Sequence, residues 1–112
     1  MTYQERVYAV TELIPEGRVS TYGAIADYLA LGSARMAGWA LNQLGLWDTH
    51  IPAHRVVNRK GELSGRNHFP TPTLMQERLE AEGVVVENDR VTDFKTLFWH
   101  PADHLDESLI PE

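Results

Sequence analysis

The chain contains no cysteine. That excludes a disulfide framework, thiolate metal ligands and any chemistry that runs through a thiol. No run approaches the roughly 18 apolar residues of a membrane-crossing helix, and Met1 to Arg6 has neither the basic nor the apolar segment of a signal peptide, so a soluble, cytoplasmic protein is expected. Positive charge is also scarce: ten Lys and Arg face sixteen Asp and Glu, for a net charge of -6. Taken alone, that balance argues against a polyanionic partner, because phosphate contacts need cations. Its distribution reverses the argument. Between Ser33 and His68 stand Arg35, Arg55, Arg59, Lys60 and Arg66 against Asp48 and Glu62, whereas most of the acids lie beyond Glu77. One basic central segment on an acidic chain is a directional electrostatic footprint.

The 112 residues suit one domain, expected over residues 1–100, with 101–112 as an acidic tail. Tyr3, Val7, Val10 and Ile14 recur at helical spacing and predict a first helix over Thr2 to Leu13, ended by Pro15-Glu16-Gly17. After the extended stretch Arg18-Val19-Ser20, a second helix is expected from Thr21 to Leu29 and a third from Ala34 to about Leu44, with Gly32 breaking the chain and Ser33 as N-cap. Two helices joined by a short glycine-containing turn have the spacing of a helix-turn-helix. Val56-Val57, the turn Asn58 to Gly61 and Leu63 predict a small hairpin or wing; Ser64 to Thr73 reads as an irregular loop. A fourth helix is expected from Thr73 to Glu82, stopped by Gly83, followed by strand, turn and strand over Val84 to Val91. Phe94, Leu97, Phe98 and Trp99 should pack back on the core, leaving Asp103 to Glu112 solvated. The fold class is therefore mainly α: a winged-helix-like helix-turn-helix domain with a small β-hairpin. His50, His68, His100 and His104 show no metal-ligand spacing with carboxylates, so neither metal nor cofactor is expected.

The most informative stretch is Ile51-Pro52-Ala53-His54-Arg55-Val56-Val57. It resembles the Pro-Cys-His-Arg-Val signature of the O6-alkylguanine-DNA alkyltransferases, with alanine in the nucleophile's place. The resemblance runs from about Tyr3 to Trp99, and its parts keep the family's order: Ile14 to Gly23, Ser33 to Gly38, the Pro52 motif, then Glu82-Gly83. It implies a helix-turn-helix that enters the minor groove on small residues, here Ala34, Ala37 and Gly38. It also implies that Arg35 occupies the space of an extruded guanine while Tyr22 pushes the adjacent phosphate. His54 and Glu82 match the relay that takes the proton of the family's cysteine; beside Ala53 they have no proton to take and read as structural. Where those enzymes carry a Gly-Tyr-Ser-Gly-Gly-like lid, this chain reads Leu63 to Pro70 and brings Arg66 to the place of the loop tyrosine. Pro52, Ala53, His54, Arg66 and Glu82 are thus the expected lesion pocket, with Arg66 packing on the lesion base.

The resemblance then implies an alkyltransferase-like protein without catalytic residues. It would be a monomer that binds double-stranded DNA containing O6-alkylguanine, flips the base and channels the lesion to nucleotide excision repair proteins. Two other classes bear on the same residues. A helix-turn-helix transcriptional regulator typically reads the major groove with polar side chains, of which Ala34 to Leu41 offers few. An alkyltransferase with a non-cysteine nucleophile would need to activate Ser64, Thr71 or Thr73, none of which has an obvious basic partner in sequence.

Overall fold

A computed structural model describes residues 1–44 and 50–105. The first helix, α1 (Tyr3–Glu12), starts at a capping box: Thr2 Oγ1 accepts the Glu5 N–H at 3.1 Å while Glu5 Oε1 accepts the Thr2 N–H at 3.2 Å. Strand β1 (Ser20–Thr21) runs directly into α2 (Tyr22–Tyr28), because Thr21 also caps that helix by accepting the Ala24 N–H at 3.0 Å. Helix α3 (Ala34–Asn42) follows. The left-handed residue of the α2–α3 turn is Ala30 (φ 56°) rather than a glycine, and the Leu31 N–H returns to the Ala26 carbonyl at 2.9 Å. Ser33 holds the N-cap position of α3 with extended backbone yet makes no capping hydrogen bond, contrary to its sequence pattern.

The wing expected at Val56 to Leu63 forms differently. Asn58 closes the anticipated turn, its side-chain oxygen accepting from the Lys60 and Glu62 N–H groups. Strand β2 (Val56–Val57), however, pairs in parallel with β1, Ser20 opposite Val56 and Thr21 opposite Val57. Both Val56 and Val57 are fully buried, and a hairpin arm at the surface would expose one of them; a parallel partner lets both faces be covered. Beyond the turn, Glu62 bridges Arg90 and the Leu63 N–H donates to the Asp89 carbonyl at 2.8 Å. The hairpin lies later: β3 (Val86–Glu87) and β4 (Arg90–Val91) are antiparallel around Asn88 and Asp89, both at positive φ. Between the two sheets α4 (Leu74–Ala81) ends at Gly83 (φ 87°), and α5 (Phe94–Leu97) leads the chain back to β1, where Val19 and Phe98 form a bridge.

Apolar burial divides into two clusters. Val7, Val10, Ile25, Ala37, Ala40 and Trp99 belong to the one among α1, α2 and α3; Val19, Leu63, Met75, Leu79, Val84 and Val91 belong to the one under α4 and the hairpin. The β1–β2 pair is the seam, since Val56 points into the first and Val57 into the second. Packing continues past residue 100: Pro101 is buried in a 3-10 turn and His104 stacks on Trp99 with ring centroids 5.3 Å apart. Of the expected acidic tail, residues 106–112 lie outside the described residues. At the Asn58 turn, Gly61 has φ 80°, and a Cβ there would stand 3.0 Å from the Phe94 ring. Gly61→Ala should therefore lower stability by about 1–3 kcal/mol, read as a lower urea midpoint; an unchanged midpoint would mean that Phe94 yields freely.

Candidate functional site

Behind the helix-turn-helix, the Pro52 motif ends in a 3-10 turn, Ala53–Arg55, that feeds β2. This turn aims His54 and Arg55 at Glu82, the C-cap residue of α4. His54 Nε2 lies 2.6 Å from Glu82 Oε2. Arg55 Nε donates to both carboxylate oxygens at 3.0 and 3.1 Å, Nη2 donates to Oε2 at 2.8 Å, and Nη1 donates to the Ile14 carbonyl at 2.8 Å. The Gly17 N–H completes the set at 3.0 Å from Oε1. The Glu82 side chain is 8% exposed. Burial by itself would raise its pKa, but the hydrogen bonds from Arg55, His54 and Gly17 outweigh that and lower it to about 2. For His54, burial is again the largest influence and lowers its proton affinity; Glu82 opposes this, while Arg55 and Arg78 reinforce it. The arrangement is a neutral imidazole whose Nε2–H donates to a carboxylate already neutralised by Arg55. Its Nδ1 is buried without a hydrogen-bond partner among the described residues. Among the described residues no three His, Asp or Glu side chains gather as metal ligands.

Above this network lies a cleft of about 50 Å³ whose walls include Tyr22, Leu41, Ile51, Ala53, Phe69 and Arg78. Ala53 is half-buried in its lining, Pro52 is buried, and His54 and Glu82 sit behind it. Tyr22, the first residue of α2, bridges α3 and the loop after β2. Its ring is 3.9 Å from where a Gly38 Cβ would be, and its hydroxyl 2.6 Å from where a Gly65 Cβ would be. Burial raises the phenol's pKa, and a hydrogen bond with Ser64 opposes the rise. Gly65 is therefore required by the approach of the Tyr22 hydroxyl, a constraint that no turn signal in the sequence revealed.

The small-residue face of α3 is only partly the one expected. Ala34 and Arg35 are exposed, and Gly38 is half-buried against Tyr22. Ala37 is fully buried in the helical core, so it cannot lie on a surface partner; the helical stripe that contains Ala40 and Leu41 claims it. Trp39, one turn beyond Arg35, is 51% exposed on that outer face and was missed. Arg35 makes no hydrogen bond or ion pair among the described residues, as a side chain free to reach outward would.

Arg66, expected in the pocket, is not among the residues lining it. It begins a 3-10 turn, Arg66–His68, from which Nη1 donates to the Leu63 carbonyl at 3.0 Å and Nε lies 3.8 Å from Asp89 Oδ2 on the β3–β4 turn. The tight turn offers that carbonyl three residues back, and Asp89 supplies the opposite charge. The guanidinium in the cleft wall belongs instead to Arg78, 5.7 Å above the centroid of Phe69. Its place one helical turn before Glu82 was the available signal.

Residues 2–84 match the DNA-binding domain of 6-O-methylguanine DNA methyltransferase. The chain belongs to that family. Among its relatives it is 38% identical over 94 residues to alkyltransferase-like protein 1 of Schizosaccharomyces pombe, covering 83% of this chain and 86% of that one. It is 36% identical over 102 residues to the DNA base-flipping protein of Escherichia coli, 88% of this chain and 75% of that one. The crystal structure of S. pombe Atl1 in complex with damaged DNA containing O6-carboxymethylguanine superposes with a TM-score of 0.79 at 35% identity, over 88% of this chain and 95% of that one. The OGT of Mycobacterium tuberculosis, in its complex with DNA, follows the same fold with a TM-score of 0.64 at 32% identity, over 73% of this chain and 50% of the other.

Within this family member the Glu82 cluster makes stability depend on acid. Glu82 binds its proton less readily folded than unfolded, so its contribution is complete above pH ~4.5 and is lost as pH falls towards 2. His54, also depressed by folding, adds a loss that begins below pH ~6.5. Glu82→Gln should cost about 3–5 kcal/mol at neutral pH by leaving Arg55 buried without a counter-charge. It should also flatten the acid limb in urea titrations at several pH values; an unaltered limb would refute the assignment.

Proposed function

We propose that this protein is a non-enzymatic reader of O6-alkylguanine in DNA. It docks its helix-turn-helix in the minor groove, extrudes the damaged base into the cleft beside Ala53, and holds it there as a monomer until nucleotide excision repair takes over. The observation that carries this reading is Ala53 in the cleft wall with the His54–Glu82–Arg55 network intact behind it. The apparatus that shapes a base pocket is present, and the sulfur that would accept the alkyl group is not, there being no cysteine in the chain.

Arg35 is the residue suited to fill the gap left by the flipped base. It stands exposed and unpartnered among the described residues on α3, beside Ala34. A planar cation there can stack in the vacated space and donate to the orphaned cytosine. Tyr22 links that helix to the cleft, since its ring abuts Gly38 and its hydroxyl meets Ser64 and Gly65. The reading is supported by relatives whose names speak of base flipping and by a structural neighbour bound to damaged DNA. A major-groove regulator would not need a cleft behind its recognition helix.

Competition binding between a duplex with one O6-methylguanine and its unmodified twin tests the reading. The wild-type protein should prefer the lesion in any sequence context. Arg35→Ala should lose most of that preference, because unstacking costs a few kcal/mol that the arginine offsets; a preference for sequence instead of lesion would sink the proposal. Incubation with radiolabelled methylated DNA should leave the protein unlabelled and the lesion recoverable. Label on any residue would return the protein to the enzymes.

A further inference from the structure

Among the described residues, the wall of the cleft holds a guanidinium and no carboxylate. Arg78 and His68 line it, and no Asp or Glu does so among the described residues. Arg78 has no hydrogen-bond or ion-pair partner among the described residues. The carboxylate one helical turn on, Glu82, is already taken up by Arg55, His54 and Gly17. Glu77, on the preceding position, accepts from Thr73 at 2.6 Å. Half-buried above Phe69, the Arg78 guanidinium is therefore fixed in direction and uncompensated in charge. Its field also reaches the pocket's rear wall, where it contributes to holding His54 neutral.

From this geometry we propose that Arg78 makes the cleft selective for O6 substituents ending in a carboxylate over neutral substituents of the same size. The inference rests on the base-extrusion reading above. Ala53 and Gly65 place the least side-chain bulk in the wall, so the substituent has room to extend beside Ala53. A guanidinium presents a planar fork of donors that matches a carboxylate in two hydrogen bonds, which a neutral amide satisfies less well. The Phe69 ring restricts the fork's motion, and among the described residues no carboxylate lines the wall to repel the anion.

The test uses the full chain and four duplexes that differ at one guanine: O6-carboxymethyl, its neutral isostere O6-carbamoylmethyl, O6-methyl and unmodified. In fluorescence anisotropy the carboxymethyl duplex should bind about fivefold tighter than the carbamoylmethyl one, the gain expected of a partly desolvated charge-assisted pair. Arg78→Gln should bring that ratio to about one, and Arg78→Lys should retain part of it. Circular dichroism and thermal unfolding establish that each variant is folded, and the wild-type ratio stands independently of them. Equal wild-type affinity for the two isosteres overturns the inference while leaving lesion recognition in place. A uniform loss on all four duplexes in Arg78→Gln also overturns it, by making Arg78 a phosphate contact. Absence of any preference for modified over unmodified duplex overturns both this inference and the reading beneath it.

Discussion

The Glu82 carboxylate joins parts of the chain that lie far apart in sequence. It ends α4, yet its oxygens accept from Gly17 after α1 and from His54 and Arg55 before β2, while Arg55 also reaches the Ile14 carbonyl. Each of these groups is costly to bury alone, and only their mutual pairing makes the seam between the two apolar clusters tolerable. The cleft wall that contains Ala53 rests on this cluster, because Ala53 immediately precedes His54 in the same 3-10 turn. In a thiol enzyme such a network would serve proton transfer. Here the same bonds tie the 3-10 turn, the end of α4 and the loop after α1 together, and burial lowers the proton affinity of His54, whose Nδ1 has no partner among the described residues.

From that seam the structure communicates outward through Tyr22. The residue sits where β1 passes into α2, is pressed between Gly38 of α3 and Gly65 of the cleft loop, and shares a hydrogen bond with Ser64. Tyr22 therefore touches both α3, at Gly38, and the cleft loop, at Gly65. This coupling suits a protein in which insertion at the helix and capture in the pocket must occur together. It also explains why Gly65 has no room for a side chain, whereas a Cβ at Gly38 would meet the Tyr22 ring in an ordinary contact at 3.9 Å.

Much of this was legible in the sequence, for identifiable reasons. The helices were visible because Val7, Val10, Ile25 and Leu79 keep the spacing of a buried stripe, and the Pro52 and Glu82-Gly83 motifs identified the pair His54 and Glu82 that the structure brings within 2.6 Å. What failed was non-local. Val56-Val57 looks like a hairpin arm, but its partner is Ser20-Thr21, some 36 residues earlier, and parallel pairing leaves no turn signature. Arg66 was assigned to the pocket by counting from Ala53, which locates a backbone position but not the direction of a long side chain; Leu63 and Asp89 determine that direction. Ala37 was counted as a surface residue for its smallness, although smallness serves helix packing equally well.

The central claim is that damaged guanine leaves the stack and enters the cleft without chemical change. Its most direct measurement places the fluorescent analogue pyrrolocytosine opposite a single O6-methylguanine and follows emission as protein is added. Extrusion of the lesion unstacks the analogue's partner and should raise its fluorescence, with no comparable rise opposite unmodified guanine, and heating should release DNA whose lesion is intact. Binding without any change in emission would contradict the account, as would release of unmodified guanine.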